Sequence, residues 1–372
     1  MVELTALVMA PGPLFVDTLR RLWDDGGAVA PIDTRLPLPA QRRLLEALRP
    51  NAIASADGIT RLDSGRACEE GDALVMSTSG TTGEPKGVVL THAAVEASAG
   101  ATSARLGVDP SRHRWLAMLP MAHVGGLGVV TKAYHCGVPL TVLDRFDVDS
   151  ALAAARAGCT HTAIVPTMLA SLDVSVFERV IVGGSASHIE LPPNASSTYG
   201  LTETGSGCVY DDRPLDGVEV RVVDGEIHLR GPMLLRAYRT ADREWDPRLE
   251  GGWFATGDLG DLDTSTGRLR VFGRRGDLII TGGQNVWPDP VERVLLAHPA
   301  VAEVAVVGRP DPIWGAAVTA VVVPADPAVP PTLDELRDEV VAELAPYCAP
   351  RRLELATVLP RTPLGKVQRS RL

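Results

Sequence analysis

The sequence predicts an α/β protein: a large N-terminal sheet domain with a small β-barrel-like part, then a smaller α+β domain. Three observations carry this. Apolar runs of four to six residues alternate with helical stretches between residues 115 and 182, the pattern of a largely parallel sheet covered by helices. After Gly217 the pattern changes to short alternating strands separated by Gly-containing turns. After Gly273-Arg274-Arg275-Gly276-Asp277 a compact mixture of helices and strands completes the chain, so the boundary is placed there, giving domains 1–275 and 276–372.

Taken in order, the first seventy residues show helical patterns between Pro-, Gly- and Ala-rich loops, and little function can be read there. An apolar run at 73–77 leads into STSGTTGEPKG, and a helical pattern resumes at Thr91: a strand, a polar loop, then a helix. Strands follow at 115–119, 138–143, 162–165 and 179–182, with a helix at 150–157. The alternating strands are 219–223, 226–230 and 268–272, with turns at Asp224-Gly225 and Thr266-Gly267. In the last domain, strands at 278–281, 301–307 and 316–323 accompany helices near 290–297 and after Thr332, where Thr332 and Glu335 form a capping box.

Composition narrows the function. The chain is 45% hydrophobic and 22% charged, as soluble globular proteins are. Its 36 basic and 46 acidic residues leave a net charge of -10, which argues against nucleic acid, because phosphate binding needs clustered Lys and Arg. The long charge-free run at 116–131 contains one proline and three glycines and is too short to span a bilayer. No basic region precedes the first apolar stretch, so a cytoplasmic location is expected. Five scattered cysteines without a C-x-x-C pair read as reduced thiols.

Only three of the 36 basic residues are lysines: Lys86, Lys132 and Lys366. Where arginine is the default cation, a lysine suggests a site that needs a compact ammonium on a flexible stem. Lys86 closes the loop Ser77-Thr78-Ser79-Gly80-Thr81-Thr82-Gly83-Glu84-Pro85-Lys86-Gly87. Its three glycines allow close backbone approach, and its hydroxyls and lysine supply donors, the equipment for holding a polyphosphate. It is not a Walker A loop, since Gly87 follows the lysine.

This loop, with Met121-Ala122-His123-Val124-Gly125-Gly126, Tyr199-Gly200-Leu201-Thr202-Glu203-Thr204, Thr256-Gly257-Asp258, Gly282-Gly283-Gln284-Asn285 and Pro360-Arg361-Thr362-Pro363-Leu364-Gly365-Lys366, resembles the adenylate-forming superfamily of acyl-CoA synthetases, adenylation domains and luciferases. The motifs stand in the family's order between residues 77 and 366.

The resemblance implies ATP, Mg²⁺ and CoA as cofactors and a mobile C-terminal domain. It implies that Ser77, Thr78, Ser79, Gly80, Thr81, Thr82, Gly83 and Lys86 hold phosphates. Gly183, Gly184 and Ser185 would line adenine, with Tyr199 stacked on it beside Gly200. Asp258 would hold the ribose with help from Arg274, although an Asp after Thr-Gly equally suits a turn. Glu203 would ligate the metal, next to Thr202. Lys366 would bridge the substrate carboxylate and the α-phosphate, stabilising charge as two anions meet. Gly282, Gly283 and Gln284 would face CoA. Two residues depart from the usual pattern: Gly276 at the hinge pivot, and Gln284 in place of a common Glu.

Residues 119–132 resemble o-succinylbenzoate-CoA ligases, as does the segment 205–217, which is similar to short actinobacterial members. The wider family resemblance implies that His123 gates the acyl pocket, although a lone histidine in an apolar loop equally suits a core position, and in the o-succinylbenzoate group a basic residue nine positions later, here Lys132, faces the substrate's second carboxylate. Thr204 and Gly205 would also line the acid. Lys132 is expected in a helix that starts after the glycines; nine residues make about two and a half helical turns, so one pocket could meet both only if a loop bends the register. The implied reaction is ATP-dependent conversion of o-succinylbenzoate to its CoA thioester in menaquinone biosynthesis. The alternatives are another aryl- or acyl-CoA synthetase, an adenylation enzyme serving a carrier protein, and a binding protein without turnover.

Overall fold

The computed structural model describes residues 1–79, 85–184, 190–361 and 367–372, without the side chains of Ser79 and Ser370. The chain divides into two compact units. The first comprises Met1–Arg221, His228–Ala255 and Leu262–Leu269; the second comprises Val222–Ile227, Thr256–Asp261 and Arg270–Leu372. The 275/276 position falls within the last of these segments.

Two sheets build the first unit. The larger has eight strands, with Leu4–Leu7, Ala28–Pro31 and Ala52–Ser55 parallel at one side, followed inward by Asp72–Ser79, Pro85–Thr91 and Ala237–Arg239. The seven-stranded sheet has a parallel core of Leu140–Val142, Trp115–Ala117, His161–Ile164, Arg179–Val182 and Ala195–Gly200. Its inner strands Trp115–Ala117, His161–Ile164 and Arg179–Val182 are short and almost fully buried, as in a parallel sheet covered on both faces. The fold class is therefore α/β as expected. The first seventy residues contribute four of the eight strands, which the Pro- and Gly-rich composition had concealed.

Two expectations are corrected. The segment after the polar loop is not directly a helix, because Pro85–Thr91 forms a strand antiparallel to Asp72–Ser79, and its Val88, Val89 and Leu90 are fully buried. The helix His92–Leu106 begins only after Thr91, whose hydroxyl accepts from Ala94 N at 3.1 Å, and it stops at Gly107 with φ +63°. The second correction concerns the glycines after His123. They lie inside the helix Val124–His135, not before it. A Cβ on Gly126 would lie 2.4 Å from Pro120 O, so this glycine permits close packing of the helix on the preceding loop.

A sheet of four strands runs in the order Glu219–Val223, Glu226–Arg230, Phe254–Asp263, Arg268–Arg274, in the region expected to be barrel-like. The C-terminal unit has a five-stranded sheet built around the long hairpin Val301–Asp311 and Gly315–Pro324. Helices Pro288–Leu296 and Leu333–Glu343 pack on it around Val291, Val294, Leu295, Leu336 and Val340. The capping box forms as read: Thr332 and Glu335 satisfy each other's backbone N–H groups. All five cysteines are free, and no described helix is long and apolar enough to cross a membrane.

Candidate active site

Pairing of the two strands around the polar loop fixes its described ends. Ser77 lies opposite Gly87 and Thr78 opposite Lys86. Gly87 is required there, since a Cβ would come within 2.5 Å of Val75 and 2.8 Å of Leu48. The Thr78 hydroxyl is buried and has no hydrogen-bond partner among the described residues. Gly80, Thr81, Thr82 and Gly83 lie outside the described residues, as do Ser185 and Lys366.

Strand pairing also carries Lys86 to a residue the sequence did not single out. Ala237–Arg239 runs antiparallel to Pro85–Thr91, with Tyr238 opposite Val88. Lys86 Nζ stands 3.3 Å from the centroid of the Tyr238 ring, and the Tyr238 hydroxyl donates to Glu203 Oε1 at 2.7 Å. A lysine, a phenol and a carboxylate from three distant segments thus form one continuous polar surface.

Glu203 sits on the short 3₁₀ turn Thr202–Thr204, ended by Gly205 at φ +67°. Leu235 N donates to its carbonyl at 2.8 Å. Thr202 is half-buried on the same turn. Thr204 is buried, with its hydroxyl accepting from Leu201 N at 2.9 Å and bonding Ser206 O at 2.6 Å, so it shapes the turn. Gly200 is sterically obligatory: a Cβ would lie 2.3 Å from Ser206 O and 2.6 Å from Gly207 Cα. Tyr199 is half-buried on the strand Ala195–Gly200. On the neighbouring strand end, a Cβ at Gly183 would lie 2.7 Å from Thr198 Oγ1, and Gly184 has φ +99°. Bare backbone at both positions suits the edge of a flat ring.

A divalent cation fits this donor set. Mg²⁺ uses one or two carboxylates, with substrate phosphates and water completing its shell. Glu203 offers one carboxylate, oriented by Tyr238. No group of three or more His, Cys, Asp or Glu suited to an all-protein metal cage occurs among the described residues.

His123 and Lys132 go to different partners. His123 precedes the helix, and its Nε2 lies 3.3 Å from Asp33 Oδ2. Burial of Asp33 opposes ionisation, but hydrogen bonds from Arg35 and His123 prevail and hold its carboxyl well below the usual range. Lys132, in the last turn, is only 2% exposed. Its ammonium donates to Gly128 O at 3.0 Å and lies 2.6 Å from Ser206 Oγ. Burial depresses its pKa from 10.5 to about 7. No carboxylate forms an ion pair with it among the described residues. Asp33 and Ser206 carried no signal in the sequence, because only the fold brings them to His123 and Lys132.

In the second unit, Asp258 is buried and pairs with Arg274 Nε at 2.8 Å; the same guanidinium donates to Thr256 O at 3.1 Å. Gly257 has φ +74° and donates to Glu226 at 2.8 Å, which fixes the turn that presents Asp258. Gly282 and Gly283, at φ +57° and +78°, form the two-residue turn between Ile279–Thr281 and Gln284–Val286, with Gln284 exposed. A Cβ on Gly282 would lie 2.7 Å from the Trp314 ring.

Known proteins match the chain along its length. The AMP-binding enzyme family matches residues 62–239, and the AMP-binding enzyme C-terminal domain matches 290–366. A probable 2-succinylbenzoate–CoA ligase from Mycobacterium tuberculosis strain H37Rv is 39% identical, over 91% of this chain and 94% of that protein. A 2-succinylbenzoate–CoA ligase from Listeria monocytogenes serotype 4b is 34% identical, over 81% of this chain and 69% of its own length. Among solved structures, o-succinylbenzoate CoA synthetase from Bacillus subtilis in complex with the acyl-adenylate intermediate superimposes with a TM-score of 0.86. It is 28% identical, and the match covers 99% of this chain and 87% of that one.

Proposed function

We propose, from the premise that this chain belongs to the AMP-binding enzyme family, that it is an AMP-forming ligase converting 2-succinylbenzoate to its CoA thioester in menaquinone biosynthesis. The observation that carries the substrate assignment is Lys132. A buried ammonium without a carboxylate partner is costly, and a substrate with a second carboxylate supplies the missing anion. A neutral aryl or aliphatic acid would leave that cost in place. The cytoplasm, where CoA and ATP are at hand, is the location this reading takes.

In the first step a carboxylate oxygen of the acid attacks the α-phosphorus of ATP, and the bond to pyrophosphate breaks. Lys366 neutralises the two anions as they meet; losing such a donor costs about 10² to 10³ in rate. Ser77, Thr78 and Lys86 hold the phosphates, with Ser79 and residues 80–83 continuing the loop. Glu203 would hold Mg²⁺, which would supply charge neutralisation on the phosphates. Thr202 stands beside it. Tyr199 and Gly200, with the bare backbone of Gly183 and Gly184 and with Ser185, receive adenine, and Asp258 accepts from the ribose hydroxyls while Arg274 holds it in place. His123 is oriented by Asp33 at the acyl pocket, and Thr204 and Gly205 shape the turn that leads to Ser206, the partner of Lys132. In the second step the CoA sulfur attacks the acyl carbonyl, the bond to AMP breaks and the thiol proton leaves. Gly282, Gly283 and Gln284 admit the pantetheine arm. Splitting one difficult condensation through an activated intermediate lowers each barrier.

The test is incubation with ATP, CoA and 2-succinylbenzoate beside a panel of monocarboxylic acids, following pyrophosphate and thioester mass together. Thioester from 2-succinylbenzoate alone is the expected result. Thioester from monoacids only would overturn the substrate, and pyrophosphate without thioester would move the acyl acceptor from CoA to a carrier protein.

A further inference from the structure

The C-terminal unit holds a buried charge cluster that none of the roles above uses. Arg369 is only 16% exposed and reaches three carboxylates. Its Nε and Nη2 grip Glu292 at 3.1 and 2.7 Å, Nη2 also reaches Asp289 at 2.7 Å, and Nη1 reaches Asp277 at 3.2 Å. Glu292 is itself fixed, accepting from Val306 N at 2.7 Å. Burial raises the pKa of Glu292 against the pull of Arg369, so the socket is dry enough for the pairing to matter.

Its position gives the cluster a task. Asp289 and Glu292 lie on the helix Pro288–Leu296, Asp277 just before the strand Ile279–Thr281, and Arg369 three residues beyond Lys366. The chain on either side of residues 362–366 is tied together independently: Arg361 and Val367 form an antiparallel bridge, and Gln368 N donates to Pro360 O at 2.8 Å. Past that bridge, Val367 and Leu372 pack only partly buried against Ala305, Val307, Val321 and Leu359, and Arg309 donates to Leu372 O at 3.0 Å. Arg369 is the strongest charged anchor on this short tail. The Gly282-Gly283 turn has other supports. Its strands pair with each other and with Gly315–Pro324, and Gly282 N donates to Trp314 O at 2.8 Å.

We infer that Arg369 is a positioning residue for the adenylation half-reaction, fixing the tail from which Lys366 acts by locking it into the Asp277, Asp289 and Glu292 socket. The inference rests on the proposed role of Lys366. A planar guanidinium grips Glu292 with two N–H groups while holding Asp289 and Asp277 in fixed directions, whereas an ammonium is a compact charge whose three donors rotate freely.

The experiment compares wild type, K366A, R369A and R369K in the full chain. It measures pyrophosphate exchange with 2-succinylbenzoate, thioester formation from supplied 2-succinylbenzoyl-adenylate, and the thermal unfolding profile. R369K keeps a cation in the socket should R369A fail to fold. The expected result is a fall of about ten- to a hundredfold in exchange for R369K, with thioester formation from the supplied adenylate within about twofold of wild type. Unchanged exchange would overturn the proposal, and so would an equal fall in both half-reactions, which marks a merely structural role. K366A that exchanges normally would instead overturn the role of Lys366 on which the inference stands. Wild type that shows no pyrophosphate exchange with 2-succinylbenzoate would overturn the substrate assignment.

Discussion

Replacing Lys132 with methionine should change how stability depends on pH. In the native protein the amine has a pKa of about 7 because burial opposes its charge, against 10.5 in the unfolded chain. Above pH 10.5 both states are neutral and burial costs nothing through this group. Between 7 and 10.5 the unfolded chain binds the proton and the folded one does not, so stability rises with pH. Below about 7 both are protonated and the full penalty applies. At about 1.4 kcal/mol per tenfold change, the penalty is about 5 kcal/mol at pH 6 and about 2 kcal/mol at pH 9. K132M lacks this titration and loses hydrogen bonds worth about 1 kcal/mol at every pH. The stability of wild type relative to K132M should therefore increase by about 3 kcal/mol from pH 6 to pH 9. Urea unfolding of both proteins, followed by the fluorescence of buried Trp23 and Trp115, measures it; other titrating groups are shared and cancel in the difference. Parallel stability curves would refute the reasoning, since they would mean that Lys132 is as well solvated folded as unfolded.

Three further outcomes follow from the site. Lys132→Ala should raise KM for 2-succinylbenzoate about a hundredfold while leaving KM for ATP nearly unchanged, the cost of removing one partner of a buried charge pair; steady-state kinetics with each substrate varied checks it. Tyr238→Phe removes the 2.7 Å hydrogen bond to Glu203 and should raise the Mg²⁺ concentration for half-maximal pyrophosphate release about tenfold, as for a bond to a charged acceptor. Gly200→Ala drives a methyl into the backbone of Ser206 and Gly207 and should destabilise the protein by about 3 kcal/mol or more, visible as a lowered Tm.

The sequence determined by itself which chemistry was possible. Three lysines among 36 basic residues marked Lys86, Lys132 and Lys366, and the ordered motifs marked a nucleotide-dependent ligase, because such chemistry needs particular residue types in local runs. Periodicity exposed the parallel core and the Thr332 capping box for the same reason, since both are encoded within a few residues. Only the tertiary structure decided the partners. Tyr238 meets Lys86 and Glu203 through strand pairing, Asp33 meets His123 from a region that read as featureless, and Ser206 meets Lys132. The strand after the Ser-, Thr- and Gly-rich loop and the glycines inside the helix Val124–His135 were hidden as well, because burial between layers and close packing on Pro120 override local turn propensity. Arg369 reads as an ordinary arginine until the fold gathers three acids around it. Residue types and their spacing are local properties, whereas desolvation and the pairing of charges exist only once distant segments have packed.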